Sequence, residues 1–290
     1  MQVDFPSSLC FLYHSRRSKP KYFIGRGDSD EQSETVQSVM SAPSPPESMT
    51  HRCAIVIPAY NHGRRLHEVL VKTLGLGFPV FVVDDGSTDS TPKILASHAD
   101  VTVIRHEKNL GKGASLLAGF ASAVTVADYA VTIDADGQHN PDDIPSLVRA
   151  VPRGKRPVVV GTRAGMRQEN VPWTSRWGRR FSNFWVWASC GKWLSDSQSG
   201  FRMYPLPETM RLGARSKRFQ FEVEILVRAA WSGIPILETP VQAIYGPPEE
   251  RISHFRPWLD FWRNTRTFTR LVASRILIPS KRRLGKDRDL

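Results

Sequence analysis

Cysteine is scarce in this chain. Its three cysteines in 290 residues, Cys10, Cys53 and Cys190, stand far apart. That is neither a disulfide framework nor the close pairs of a zinc site, so a reduced, cytoplasmic protein is the expectation. Long apolar runs are missing too: nothing approaches the roughly 18 residues that a membrane-spanning helix needs. The first residues, "MQVDFPSSLCFLYHSRR", have no basic start before an apolar stretch, which argues against a secretory signal. Acidic residues are outnumbered. Against 40 Lys and Arg there are 28 Asp and Glu, a net charge of +12. Such a surplus points to an anionic partner: nucleic acid, a phospholipid surface or a phosphorylated substrate.

What is present suffices for one large domain or two small ones, because 40% of the residues are hydrophobic and 10% aromatic. Residues 1–50 differ from the rest. The stretch "GDSDEQSETVQSVMSAPSPPESMTHR" is rich in Ser, Pro and acids, has no periodicity, and reads as a disordered extension. Met49 stands just before the first regular run and offers an alternative start.

From Cys53 the pattern alternates. The β-branched runs "CAIVIPAY", "PVFVVDD", "VTVIRH", "YAVTIDAD" and "PVVVGTR" are separated by stretches of helical spacing, such as Leu66, Val69, Leu70 and Leu74. Near-continuous apolar strands alternating with helices predict an α/β fold, with a mostly parallel sheet flanked by helices on both faces. Ligands in such sheets bind at the carboxyl ends of the strands. The polar clusters fall there: Tyr60 and Asn61, Asp84 and Asp85, Asp134 and Asp136.

The last cluster, in "VTIDADGQHNP", carries most of the chemistry. A strand would put Asp134 and Asp136 on one side, and a turn after Asp136 would let Gln138 join them. Oxygen ligands of this kind suit Mg²⁺ or Mn²⁺ shared with substrate phosphates. An ordinary capped turn would use the same residue types. In "VVDDGSTDST", a carboxylate could accept a hydrogen bond from a ribose or a base. Ser87, Thr88 or Asp89 could equally cap a helix, although capping leaves two preceding acids unexplained.

Taken in order, "IVIPAYN", "VVDDGSTDST", "NLGKGASLLAGF", "IDADGQHNP", "VVVGTR", "DSQSGFRMYP" and "FQFEVEILVRAAWSG" resemble family 2 glycosyltransferases of the GT-A fold. Within that family they are most similar to the dolichyl- and polyprenyl-phosphate sugar synthases. The match spans roughly residues 53–245. The resemblance implies a Rossmann-like GT-A domain over residues 51–250, followed by a basic amphipathic C-terminal helix and tail over residues 251–290. It also implies a nucleotide-diphosphate sugar donor, with Pro58, Ala59 and Tyr60 at the base, and Asp84 and Asp85 at the base or ribose. Lys112 is implied near the nucleotide, although a solvated lysine at a helix start would look the same. Asp134, Asp136 and Gln138 are implied as metal ligands, with Asp136 central to catalysis; His139 is expected to orient the loop. Arg163, Arg176 and Arg202 are implied to bind the acceptor phosphate and the donor diphosphate. Arg179 and Arg180 could be only a solvated basic face. One departure is His62, where the family often has Glu after "YN"; it bears on donor preference.

The expected reaction is inverting, metal-dependent sugar transfer to a lipid-linked, polyprenyl-phosphate-like acceptor. A lipid phosphate is already ionised and needs no strong base. A saccharide hydroxyl acceptor would need one, and Asp196 is then the candidate. Of Glu222 and Glu224, one is expected to face the site and the other to be structural. No Gly-rich triphosphate loop supports a nucleotidyltransferase.

Aromatic and basic residues interleave in two late segments. Trp173, Trp177, Phe181 and Phe184 or Trp185 recur at helical spacing, as do Trp258, Phe261, Trp262, Phe268, Leu271 and Val272. From Arg251 onward, 11 Lys or Arg face 3 Asp or Glu, a net +8. These helices suit a peripheral position on the inner face of an anionic membrane, although the aromatics could instead complete the core. A non-catalytic basic module for membranes or nucleic acid would share the charge. The basic residues form no nucleic-acid motif, so no such partner is expected.

Overall fold

A computed structural model of the chain describes residues 11–12, 51–164, 173–244 and 257–278. Met49 and the N-terminal extension other than residues 11–12 lie outside the described residues, as does the C-terminal tail from residue 279. Phe11–Leu12 form a two-residue strand, β1, within that extension.

The five runs expected as strands are strands: β2 (Cys53–Ala59), β3 (Val80–Asp84), β4 (Val101–Arg105), β5 (Tyr129–Thr132) and β6 (Val158–Ala164). Two more follow, β7 (Arg202–Pro205) and β8 (Ile236–Gln242). The sheet order is β1-β4-β3-β2-β5-β7-β6-β8. Neighbours from β4 to β5 are parallel, as are β6 and β8. β7 enters between β5 and β6 antiparallel to both, and β1 is antiparallel to β4. The sheet is thus mostly parallel.

Alternation along β2 divides the core. Cys53, Ile55 and Ile57 face a layer with α1 (Gly63–Leu74), α2 (Thr91–Ala96) and α4 (Ile144–Arg149). Ala54 and Val56 face α3 (Lys112–Ala123), α5 (Trp173–Cys190), α7 (Gln220–Trp231) and α8 (Pro257–Leu277). The short helix α6 (Glu208–Arg211) follows β7. Strands buried on both faces carry Val and Ile with little alternation of polarity, as β3 does in "VFVVD".

The expected amphipathic faces of α5 and α8 split in two. Phe181 and Trp185 of α5 pack on Phe268 of α8, which with Leu271 completes the core. Trp177 and Phe184 of α5, and Trp262 of α8, turn outward. The side chains of Trp173, Trp258 and Phe261 lie outside the described residues. No helix among those described is long and apolar enough to cross a membrane.

Helix α3 lies close on the sheet because Gly119 brings it there. A Cβ at Gly119 would stand 2.3 Å from Val56 Cγ1 and 3.3 Å from Val83 Cγ2. Gly119→Ala should therefore overpack the core and lower stability by about 1–3 kcal/mol, measured as a lower urea midpoint at unchanged slope.

Candidate active site

The chain ends of β2 and β3 are laced together by short polar side chains. Asn61, the one described non-glycine residue with positive φ (55°), donates its N–H to Ser87 Oγ (3.0 Å). Its own Oδ1 accepts from Thr88 N (2.8 Å). His62 N reaches Thr91 Oγ1 and Gly63 N reaches Asp89 Oδ2, both at 3.0 Å. The hydroxyl-rich segment thus ties two loops together, and Asp89 Oδ1 also accepts from Thr91 N (2.9 Å) at the start of α2. Pro58, Ala59 and Tyr60 stand at this edge beside Asp84, whose register partner on β2 is Ala59.

The two acids expected at the base or ribose also take partners within the protein. Asp84 Oδ1 accepts from Ser87 N (2.9 Å), and the Arg105 guanidinium is 3.5 Å from Oδ2. Asp85 takes three partners: the ring of His106 (2.7 Å), Leu110 N (2.9 Å) and Gly111 N (2.8 Å). Both carboxylates are buried. The bonds of Asp85 shape the 106–111 loop that precedes Lys112. A carboxylate satisfies several backbone donors at once, so loops of this kind use one.

β5 ends at Thr132, so Asp134 and Asp136 lie in the loop beyond it rather than on the strand. The loop is nonetheless held. Asp136 Oδ1 accepts from Gln138 N (2.9 Å), Gln138 O accepts from Ile244 N (2.8 Å), and His139 bridges to Ala243. The His139 ring packs on Phe201, and its Nδ1 is buried with no partner among the described residues. Burial pushes this imidazole down to about 4, so it is neutral.

Lys112 opens α3 and points into the cluster. Its Nζ lies 2.7 Å from Asp134 Oδ1, 2.9 Å from Oδ2 and 2.7 Å from Glu222 Oε1. Burial alone would lower the lysine, but Asp134 and Glu222 hold it well above its ordinary range. Burial would likewise raise Asp134, yet Lys112 keeps it low. Asp136 has no such neighbour in contact; burial and the charge of Asp134 push it up to about 6.

Two arginines expected on phosphates behave differently. Arg163, near the end of β6, forms a two-point ion pair with the buried Asp196 at 2.7 and 2.9 Å. Burial would raise Asp196, but Arg163 holds it below the usual carboxylate range. Asp196 is therefore an orienting partner and a poor proton acceptor. Arg202, also expected on a phosphate, is instead tied into the scaffold. It is 0% exposed, and its guanidinium donates to Ser199 O, Ser197 O, Glu222 O and Tyr204 Oη. Those bonds clamp β7, the 195–200 loop and the start of α7 together, and no face is left for a ligand. Arg176 lies in the first turn of α5, with its side chain outside the described residues.

Sequence reasoning left Gly200 without a role and Glu222 unresolved against Glu224. Glu224 binds Ser216, Arg228 and Arg270 and is structural, whereas Glu222 meets Lys112. The available signal was an acid inside an apolar run. A Cβ at Gly200 would stand 2.6 Å from Asp134 Oδ2, 2.6 Å from Lys112 Nζ and 2.9 Å from Glu222 Oε1. The glycine backbone roofs the cluster.

The donor chemistry of the cluster is that of a hard divalent cation. Asp134, Asp136 and Glu222 outnumber Lys112 by two negative charges, and carboxylate and carboxamide oxygens suit Mg²⁺ or Mn²⁺. No group of three or more acidic, histidine or cysteine side chains placed to hold an ion occurs among the described residues. The remaining ligands would come from a bound phosphate or water.

Comparison with known proteins identifies relatives of the chain. The family model "Glycosyl transferase family 2" matches residues 54–208. The chain is 32% identical to the UDP-N-acetylglucosamine–dolichyl-phosphate N-acetylglucosaminyltransferase of Methanococcus voltae, over 66% of this chain and 85% of that one. It is 27% identical to the human dolichyl-phosphate beta-glucosyltransferase, over 78% and 75%. Among solved structures, the glucosyl-3-phosphoglycerate synthase of Mycobacterium tuberculosis, crystallised with Mn²⁺, UDP and phosphoglyceric acid, superposes with a TM-score of 0.57 at 21% identity. The match covers 79% of this chain and 80% of that one, and shows a shared fold.

Because the atoms above Gly200 are side-chain tips, Gly200→Ala should fold but displace them. Transfer activity should fall roughly a hundredfold, the scale of an ångström-sized misplacement, with little change in melting temperature.

Proposed function

The chain belongs to glycosyltransferase family 2, and from that premise we propose that it moves a sugar from a nucleotide-diphosphate donor to a polyprenyl-phosphate-like lipid at a membrane surface. The observation that carries the reading is the negatively charged oxygen cluster of Asp134 and Asp136 at the carboxyl ends of the strands, with Lys112 beside it. Pro58, Ala59 and Tyr60 form the edge offered to the base.

Asp134, Asp136 and Gln138 would hold Mg²⁺ or Mn²⁺, which supplies charge neutralisation for the departing nucleotide diphosphate. Lys112 adds a fixed positive charge at the same place. Arg163, oriented by Asp196, and Arg176 are assigned to phosphate groups of donor and acceptor. A lipid phosphate is already an anion, so attack on the anomeric carbon needs no general base, and a single displacement inverts that carbon. The hydroxyl-acceptor alternative is disfavoured because its candidate base, Asp196, is locked on Arg163. A purely binding role does not fit membership of an enzyme family.

The proposed membrane position is peripheral, on the inner face. Trp177 (66% exposed), Trp193 (65%) and Trp262 (68%) stand in water on or near α5 and α8, with Arg266 and Arg270 exposed on α8. Amphipathic aromatic and basic side chains suit the headgroup layer of an anionic bilayer.

Asp136→Ala should abolish transfer from the matching nucleotide sugar to polyprenyl phosphate, while circular dichroism and melting stay near wild type; retained turnover would sink the reading. In vesicle flotation, the chain should bind phosphatidylglycerol-containing vesicles over pure phosphatidylcholine. Trp177→Ser with Trp262→Ser should weaken that binding several-fold.

A further inference from the structure

We propose that Glu222 is a positioning residue that keeps the Lys112 ammonium on the donor diphosphate when Asp134 is engaged elsewhere; this rests on the donor reading above.

The three charged groups are not equivalent. Asp134 is the most open, with a quarter of its side chain exposed, and belongs to the loop that faces the donor. Glu222 is nearly buried behind it, in the first turn of α7. A carboxylate at a helix start is favoured by the helix dipole. Its position is also mechanically defined, since its backbone carbonyl accepts from the buried Arg202 at 2.6 Å. The start of α7 is tied to α3: Ala114 N donates to Lys217 O in the loop before α7, and Gly113 leaves room for Phe221, whose Cβ would be 2.6 Å from an added methyl.

One carboxylate would suffice to neutralise one lysine. A second, buried carboxylate on the same ammonium is unfavourable unless it does something. Lysine is a point charge on a long flexible stem. If Asp134 were its sole partner, any ligand that drew Asp134 away would release Lys112 into solvent. Glu222 removes that freedom: the ammonium stays in the cluster, and the bond it formerly gave to Asp134 becomes available to a phosphate oxygen. The contact of Lys112 with Glu222 Oε1 is an ion pair at 2.7 Å outside good hydrogen-bond angles, as expected when a shared ammonium is aimed mainly at Asp134.

The test is a double-mutant cycle on binding, without turnover. The affinities of UDP, GDP and dTDP, each with Mn²⁺, are measured calorimetrically for wild type, Glu222→Gln, Lys112→Met and the double variant. For the diphosphate that binds wild type, each single variant should lose about tenfold, the scale of one charge-assisted hydrogen bond. The double variant should be no worse than Lys112→Met. In steady state the donor KM should rise while kcat changes less. A Glu222→Gln protein that is folded and binds as wild type overturns the proposal, as does a double variant whose losses multiply. A merely structural Glu222 would lower the melting temperature and leave affinity alone. Wild type that binds none of the three overturns the donor reading, and this inference with it.

Discussion

One ammonium group holds the site together. Lys112 Nζ sits within 2.7 Å of carboxylates from two different parts of the chain, Asp134 after β5 and Glu222 at the start of α7. Without it, Asp134, Asp136 and Glu222 would stand unneutralised in a largely buried space, an arrangement that costs far more than any surface charge pair. Much of the surrounding structure serves that placement. Asp85 forms the loop from which Lys112 emerges, Gly200 leaves space above the cluster, and Arg202 pins the helix that carries Glu222.

Burial sorts the arginines and acids by role. A guanidinium with four backbone and side-chain acceptors around it, as at Arg202, is part of the scaffold. A guanidinium held on one edge by a carboxylate, as at Arg163, is oriented. The same logic separates Glu222 from Glu224, two residues apart on one helix. Glu224 links Ser216, Arg228 and Arg270, so it ties α8 to α7, while Glu222 turns toward the catalytic loop. α8 therefore does two jobs: Phe268 and Leu271 close the core, and Trp262 remains outside.

Much of this was legible along the chain. The parallel strands from β2 to β6 announce themselves as Val- and Ile-rich runs, because a strand covered on both faces has no polar side to show. Asp134 and Asp136 were visible for a related reason: charged residues just past the end of an apolar strand have no packing role to explain them. β7 was harder. "RMYP" is short and begins with an arginine, and nothing local says that it runs antiparallel between β5 and β6. The partners that Asp85 and Arg202 take within the protein were not legible, because residue type tells what a group can bind, not which partner folding brings to it.

The sequence by itself determined the strand order of chemistry: which side chains end which strands, the turn glycines, the acidic loop and the surplus of basic charge. Those follow from local periodicity and residue type, which neighbouring residues alone encode. Only the tertiary structure decided that Gly200 stands against Asp134, that Glu222 shares Lys112 with it, and that Arg202 holds the Glu222 backbone. Insertion of β7 beside β5 pairs Arg202 with Thr132 and brings Gly200 over the acidic loop. The packing of α7 on α3 then sets Glu222 against Lys112. Such meetings depend on how layers stack in space, and no spacing along the chain records that.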